Sequence, residues 1–418
     1  MNMKRLTECR QKVCNLFKNK NNAAILINSA KQIMEEHNYY QDPNFYYLFG
    51  DPGPNCWGGM LLNNNECKCT LFVSNDYLEP HYKHAYGDRR NEWMKNCDCV
   101  IKPQKDIIKW IKDNNIHILY QLSDTLSIPG LGLSSMILNG IQYNKKVLPK
   151  ILNKSRIIKT VSELEILRKI NKISSDAHNI IRESILNGQM KNENDVECLF
   201  NYLVQKESKN RLMAYPCICA SGPRSCIIHY MKNNNNLING QMILMDMGGR
   251  LNGYISDITQ TVLIGGSDNN TNNFQNLIYQ LVLQTHNYII NQLKSGINWV
   301  DMEILCRKLL LNGLMPLFDP NEIKKESNFD NIMHEIMPHW LGHNIGLQVH
   351  DCGDLYNEDK ILKSGMTLAI EPGIYISPTS IKYFKPEIKN YLNYFGVRIE
   401  SNVIIHDNFA ENITTVIR

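Results

Sequence analysis

Four acidic residues stand in apolar, strand-like segments, where an ionised carboxylate is costly to bury. Asp246 follows Ile-Leu-Met, Asp257 follows Tyr-Ile-Ser, Glu371 follows Leu-Ala-Ile, and Glu400 follows Val-Arg-Ile. A buried carboxylate requires a partner of opposite charge or a proton. Glycines between Asp246 and Asp257 permit a hairpin that brings these two carboxylates to one face. The pattern predicts a cluster of acids around one or more cations.

A dense group of histidines lies between the two pairs of acids. His339, His343 and His350 fall within one short segment, and His229 lies apart in Cys-Ile-Ile-His-Tyr. Any one of them alone is consistent with a buried histidine bonded to a backbone carbonyl. Four carboxylates converging in a core would raise each other's pKa, whereas two divalent cations would balance their charge.

The ligand types indicate which metal and which chemistry to expect. Oxygen-rich ligation with one imidazole favours Mn²⁺, with Co²⁺ and Zn²⁺ as alternatives, over metals that prefer thiolates. Two such ions share and ionise a water molecule and stabilise the oxyanion that forms when it attacks a carbonyl group. The residues therefore predict a two-metal hydrolase.

The elements that must position these residues form two domains. Residues 1–155 alternate strand-like runs (23–27, 57–62 and 69–73) with helices, as in a small α/β domain. Ser162 and Glu165 form a capping-box pattern that begins a long helix ending near Gly188. The sequence predicts a second, α+β domain over residues 156–418. Its strand-like runs are expected at 241–247, 254–264, 341–350, 367–376 and 397–405, and its further helices at 193–206, 274–293 and 300–311.

Composition excludes several classes of protein. The chain has 418 residues, 43% of them hydrophobic, and a formal net charge of +4, so we expect packed domains and no dedicated nucleic-acid binding. Its longest apolar stretches are interrupted by polar residues, and we expect no membrane span. The thirteen cysteines are odd in number and scattered, without a visible secretory signal, which predicts reduced thiols and a cytoplasmic location.

The acid and histidine motifs resemble those of the pita-bread metallopeptidases, in the branch of Xaa-Pro dipeptidases (prolidases) and Xaa-Pro aminopeptidases. The motifs that carry the resemblance are Asp-Met-Gly-Gly, Ser-Asp-Ile-Thr, Pro-His-Trp-Leu-Gly-His, Ile-Glu-Pro-Gly and Val-Arg-Ile-Glu. Asn44–Gly50 is similar to the creatinase-like N-terminal domain of this branch, and Asn171–His178 to prolidase in particular. The resemblance implies a pita-bread catalytic domain behind an N-terminal creatinase-like domain.

The resemblance also implies a role for each site residue. The metal ligands would be Asp246, Asp257, His343, Glu371 and Glu400, and Glu371 would also move the proton of the attacking water. His229 and His350 would contact the scissile carbonyl group, and Arg398 would hold a ligand carboxylate. Weaker candidates for the substrate pocket are Tyr215, Ile218, Tyr375 and His339. A homodimer is implied as well.

One departure from the prolidase pattern bears on the substrate. Prolidases that resemble this chain usually carry an arginine for the dipeptide's terminal carboxylate between the Val-His-Asp and Glu-Pro-Gly motifs, but residues 352–364 contain only Lys360 and Lys363. The predicted activity is cleavage of Xaa-Pro dipeptides, with an aminopeptidase P acting on longer Xaa-Pro peptides as the alternative. A catalytically inactive binding module is a second alternative. A methionine aminopeptidase is disfavoured by the long N-terminal domain.

Overall fold

The structure, a computed structural model, divides into two compact units, Met1–Glu163 and Leu164–Arg418. It describes residues 3–17, 20–29, 40–62, 68–73, 98–122, 140–265, 273–325, 329–389 and 394–418. The sequence-predicted boundary at residue 155 falls inside a helix that ends at Ile157. The assignment of the two domains by family stays a prediction.

A six-stranded mixed sheet forms the centre of the first unit. Its strand order is β4-β3-β2-β1-β5-β6. The strands are β1 (Ala23–Asn28), β2 (Trp57–Leu61), β3 (Cys69–Val73), β4 (Val100–Pro103), β5 (Ile118–Tyr120) and β6 (Gln142–Asn144), and the helices are Met3–Phe17, Pro43–Phe49, Ile107–Asp113 and Val147–Ile157. Trp57 and Phe72 pack with Trp110 of the third helix in an apolar cluster. The predicted α/β character of this segment is confirmed.

Helices and short antiparallel sheets make up the second unit. A long helix, Val161–Leu186, leads into it. The helices that follow are Glu193–Ser208, Asn273–Gln292, Trp299–Leu314, Pro320–Lys325, Phe329–Ile336 and Pro386–Lys389. The strands are β7 (Ile218–Ser221), β8 (Met242–Asp246), β9 (Arg250–Leu251), β10 (Tyr254–Ile255), β11 (Thr259–Leu263), β12 (Gly342–Asn344), β13 (Thr367–Ile370), β14 (Gly373–Ile376), β15 (Phe395–Arg398), β16 (Ser401–Ile405) and β17 (Ala410–Asn412).

Two antiparallel sheets carry most of these strands, in the orders β11-β8-β7 and β12-β13-β16-β17. Ile181 and Phe200, from the first two helices of this unit, pack with Ile243 and Met245 of β8 in a buried cluster. Burial of this apolar surface, worth roughly 25 cal/mol per Å², fixes the sheet from which the acids project.

Three predicted strands are each divided in two. Asp257 lies between β10 and β11, Glu371 between β13 and β14, and Glu400 between β15 and β16. A residue in such a break is free of the in-and-out alternation of a strand. The breaks therefore allow all three carboxylates to turn toward one place.

The predicted strand over residues 341–350 is wrong beyond Asn344. After β12 the chain leaves the sheet and folds back, with the Asp351 N–H donating to the Asn344 carbonyl oxygen at 2.9 Å. This return brings His350 alongside His343, with their ring centroids 4.3 Å apart.

Cysteine chemistry differs from the sequence-based expectation at one position. The six cysteines of the second unit carry thiols, whereas Cys14 is disulfide-bonded. The prediction of reduced thiols is therefore wrong for Cys14. Across the described ranges, every helix is too short or too polar to span a lipid bilayer.

Candidate metal centre

The predicted hairpin between Asp246 and Asp257 is present. Strand β8 pairs antiparallel with β11, so that Thr259 lies opposite Asp246, the last residue of β8. The β9–β10 pair closes the connection between them. Asp257, two residues before Thr259, thus comes close to Asp246 on one side of the sheet.

Three side chains converge closely enough to share a metal ion. One ligand atom each from Asp257, His343 and Glu400 lies within 4.8 Å of the other two. His343 Nε2 is 3.5 Å from Asp257 Oδ2 and 3.8 Å from Glu371 Oε1. The cluster combines carboxylate oxygens with one imidazole nitrogen, which is the donor set predicted from the sequence.

His343 turns one ring nitrogen toward the acids. Its Nδ1 lies 3.1 Å from the Asn344 carbonyl oxygen, which can only accept, so Nδ1 carries a proton and Nε2 faces the acids. A Cβ at neighbouring Gly342 would lie 1.9 Å from the Ala369 carbonyl oxygen, so only glycine permits this approach of β12 to β13. Burial lowers the pKa of His343, but the hydrogen bond to Asp257 and the charge of Glu371 outweigh burial and raise the pKa to about 9.

The acids of the cluster hold more negative charge than their surroundings balance. Burial raises the pKa of Glu371 to about 7, against the charges of His343 and Arg398. Burial also raises the pKa of Glu400 well above its ordinary value, and the charge of Asp257 adds to the effect. Buried carboxylates with raised pKa values beside a correctly oriented imidazole fit a site for divalent cations.

Arg398 holds the position of Asp246. Its side chain is 2% exposed, and Nη2 donates to Asp246 Oδ2 at 2.6 Å. Nε donates to Thr259 Oγ1 at 3.1 Å, and the Thr259 hydroxyl donates to Glu400 Oε2 at 2.7 Å. The structure thus brings Arg398 to a carboxylate of the cluster, as the resemblance implied.

Tyr375 bonds to other side chains of the site instead of lining the cavity, and its contact with substrate stays a prediction. Tyr375 is buried and is absent from the residues that line the cavity. Its hydroxyl accepts from Arg398 Nη1 at 2.7 Å and lies 3.0 Å from His339 Nε2. Because His339 Nδ1 donates to the Trp340 carbonyl oxygen at 2.8 Å, Nε2 is the acceptor for the Tyr375 hydroxyl. Tyr375 therefore fixes Arg398 and His339.

Tyr215 lines the cavity, but its hydroxyl is engaged with the acids. It lies 2.7 Å from Asp246 Oδ1 and also hydrogen-bonds to Asp257 Oδ1. Burial, together with the proximity of these carboxylates, holds the pKa of Tyr215 well above its usual value. The tyrosine keeps its proton and ties the two aspartates together.

A cavity of about 1230 Å³ opens over the cluster. Apart from Tyr375, all of the sequence-predicted site residues line it, namely Tyr215, Ile218, His229, Asp246, Asp257, His339, His343, His350, Glu371, Arg398 and Glu400. Burial and the charge of His343 lower the pKa of His350, which keeps its ring neutral at pH 7 and able to donate one hydrogen bond.

Sequence reasoning missed Asn402. Its amide donates to the Asp257 carbonyl oxygen at 2.8 Å, and its Oδ1 accepts from the Asp257 N–H at 2.9 Å. The two bonds fix the backbone of the central acid of the cluster. The only signal in the sequence was a polar residue inside an apolar strand, two positions after Glu400.

Fold and site together define a metal-dependent hydrolase: buried acids and one oriented imidazole lie at the base of a cavity on an α+β scaffold. The model of metallopeptidase family M24 matches residues 165–407. The chain belongs to this family, and the protein is a metallopeptidase.

The chain is similar to proteins named Xaa-Pro dipeptidase and to proteins named Xaa-Pro aminopeptidase. Human Xaa-Pro dipeptidase is 27% identical over 424 residues, covering 91% of this chain and 82% of that protein. A probable Xaa-Pro aminopeptidase from Aspergillus clavatus is 30% identical, covering 89% of this chain and 81% of that protein. Among solved structures, Escherichia coli aminopeptidase P with the inhibitor Pro-Leu matches with a TM-score of 0.80 at 22% identity, over 100% of this chain and 96% of that one. The predicted pita-bread fold is confirmed.

Proposed function

We propose that the protein hydrolyses the peptide bond that precedes proline, using two divalent metal ions. The ligands would be Asp246, Asp257, His343, Glu371 and Glu400. The observation that carries the proposal is the convergence of ligand atoms from Asp257, His343 and Glu400 within 4.8 Å. Oxygen-rich ligation supports Mn²⁺ first, with Co²⁺ and Zn²⁺ as alternatives. The names of the relatives support the Xaa-Pro bond.

The residues of the chain divide the chemistry among them. Two such ions would lower the pKa of a water molecule and balance the negative charge that develops on the carbonyl oxygen. Glu371 would accept the proton of the attacking water and pass it to the proline nitrogen, which has no hydrogen of its own before cleavage. His229 and His350, on the cavity wall, would donate hydrogen bonds to the carbonyl oxygen of the substrate.

The cationic side chains of the cavity lining help to decide whether the substrate is a dipeptide or a longer peptide. The resemblance predicted dipeptides, whose carboxylate lies one residue beyond the cleaved bond. Lys360 and Lys363 are exposed and lie outside the cavity lining. Among the described lining residues there is no lysine, and the one arginine, Arg398, already binds Asp246 and Tyr375. This favours the alternative, an aminopeptidase P acting on peptides of three or more residues, because such peptides place a neutral amide next to proline.

The test compares peptides and metals in one assay. Protein supplied with Mn²⁺, Co²⁺ or Zn²⁺ in turn should cleave Gly-Pro-Gly faster than Gly-Pro. Asp257→Asn should abolish cleavage with the fold largely intact, whereas Asp176→Asn, an exposed acid that pairs only with Lys172 among the described contacts, should cleave normally. Retained activity in Asp257→Asn would refute the role of Asp257.

The competing class is a catalytically inactive binding module. The presence of all five predicted ligands opposes it. Less than one transition metal per chain by elemental analysis, with no cleavage after Mn²⁺ is added, would favour that module. The homodimer and the cytoplasmic location remain predictions, to be checked by light scattering and by fractionation of cells.

A further inference from the structure

An indole ring stands exposed on the wall of the cavity. Trp340 lines the cavity and is 60% exposed. Tryptophan is a highly buried residue on average, so this degree of exposure is unusual for an indole. An exposed aromatic side chain on the wall of a binding cavity is where an apolar group of a ligand gains most from contact.

The backbone on both sides of Trp340 is held rigidly by two residues of the Trp299–Leu314 helix. Arg307 Nη2 donates to the His339 carbonyl oxygen at 2.8 Å. On the other side, the Leu341 N–H donates to Glu303 Oε2 at 2.7 Å. Glu303 and Arg307 are themselves paired at 2.6 Å. The backbone that carries the exposed indole is therefore fixed before any ligand arrives.

A second aromatic ring completes the wall. The Tyr356 ring lies 4.4 Å from the Trp340 ring, centroid to centroid, with 41° between the planes. The Tyr356 hydroxyl donates to Glu303 Oε2 at 3.2 Å, the oxygen that also holds Leu341. One carboxylate thus fixes both halves of an aromatic wall. Binding such a preorganised surface requires little ordering of the protein.

We propose that Trp340 and Tyr356 form a subsite for the apolar side chain of the residue that follows proline in peptide substrates. The inference rests on the proposed function and names the substrate class more closely: peptides of three or more residues with an aromatic or large aliphatic residue after proline. The rings of Trp340 and Tyr356 carry no charge, and the described lining of the cavity contains no lysine that could bind a carboxylate. A continuing peptide chain matches these properties.

The test measures kcat/KM of the Mn²⁺-loaded protein for Gly-Pro, Gly-Pro-Gly and Gly-Pro-Phe. Stacking on an aromatic pair is expected to make Gly-Pro-Phe about 3- to 10-fold better than Gly-Pro-Gly. Trp340→Ala should reduce that ratio to about 1. Trp340→Phe, which keeps an aromatic face, should retain part of the preference. Tyr202→Ala, at an exposed tyrosine on the Glu193–Ser208 helix, is the matched control and should leave the ratio unchanged.

The outcomes separate the inference from the proposed function. Lack of cleavage of all three peptides with Mn²⁺, Co²⁺ and Zn²⁺ would overturn the proposed function. Cleavage with an equal Phe-to-Gly ratio in Trp340→Ala and wild type would overturn the subsite alone. Cleavage of Gly-Pro but of neither tripeptide would also overturn the subsite, while leaving the proposed Xaa-Pro hydrolysis in place.

Discussion

Glu193 is a buried carboxylate whose removal should loosen the segment that carries His229. It is 0% exposed in the first turn of its helix. Oε1 accepts from the Ser221 N–H at 2.9 Å and from the Ser221 hydroxyl at 2.7 Å. Oε2 accepts from the Tyr230 hydroxyl at 2.8 Å and from the backbone and side-chain amides of Asn235 at 3.0 and 3.1 Å, and Arg224 Nε lies 3.5 Å from Oε1. Burial alone would raise the pKa of Glu193, but these hydrogen bonds outweigh burial and lower it.

The loss of unfolding free energy in Glu193→Gln can be worked from the hydrogen-bond donors that face the carboxylate. Glutamine keeps one acceptor oxygen and turns an NH₂ group toward the other set of donors. The hydroxyls of Ser221 and Tyr230 can rotate to accept from that group, but one backbone N–H, of Ser221 or of Asn235, stays buried without an acceptor. An unsatisfied buried donor costs about 1–3 kcal/mol. The remaining donors would bond to a neutral amide oxygen instead of a charged carboxylate, and these hydrogen bonds are weaker. Together, the two effects should destabilise the fold by about 3 kcal/mol.

Urea unfolding followed by circular dichroism, at one fixed Mn²⁺ concentration, measures the effect. Glu197→Gln is the matched control, because Glu197 lies one turn along the same helix and accepts a neutral amide hydrogen bond from Asn233 at 2.8 Å. It should lose less than about 1 kcal/mol. Because Tyr230 adjoins His229, kcat should also fall in Glu193→Gln. The reasoning fails if both variants unfold at the same urea concentration.

Two further predictions concern protons. Hydrogen bonds from Arg168 hold the pKa of Glu411 at about 2, below its ordinary value of 4.5, so this pair stabilises the folded state above about pH 4.5 and ceases to do so as the pH falls toward 2. Glu411→Gln should therefore lower the free energy of unfolding by about 1 kcal/mol at pH 7, and the difference from wild type should vanish near pH 2; an unchanged difference at low pH would contradict this. Because the pKa values of Glu371 and Glu400 are raised, Mn²⁺ binding to metal-free protein at pH 6.5 should release protons. Calorimetry in two buffers of different ionisation enthalpy would detect them, and identical binding enthalpies would refute the expectation.

The sequence predicted the residues of the site better than the contacts that position them. Polar residues inside apolar runs identified Asp246 and Asp257, because local composition reveals a buried charge. Asn402 and Asp257 are 145 positions apart in the chain, and no local pattern records such a pairing. Tyr375 illustrates the same limit: the resemblance suggested it for the substrate pocket, and no local pattern indicated that β14 turns its hydroxyl toward Arg398.

The acids of the cluster differ in how well their negative charge is balanced by neighbouring side chains. Asp246 has Arg398 as an ion-pair partner, and Asp257 has His343. The described contacts of Glu400 supply only the Thr259 hydroxyl, at 2.7 Å, and a hydrogen bond of this kind offsets only part of the free energy of burying a carboxylate. Burial, together with the charge of Asp257, accordingly raises the pKa of Glu400. A divalent cation bound beside Glu400 would balance its charge, so the proposed metal would also stabilise the folded second unit.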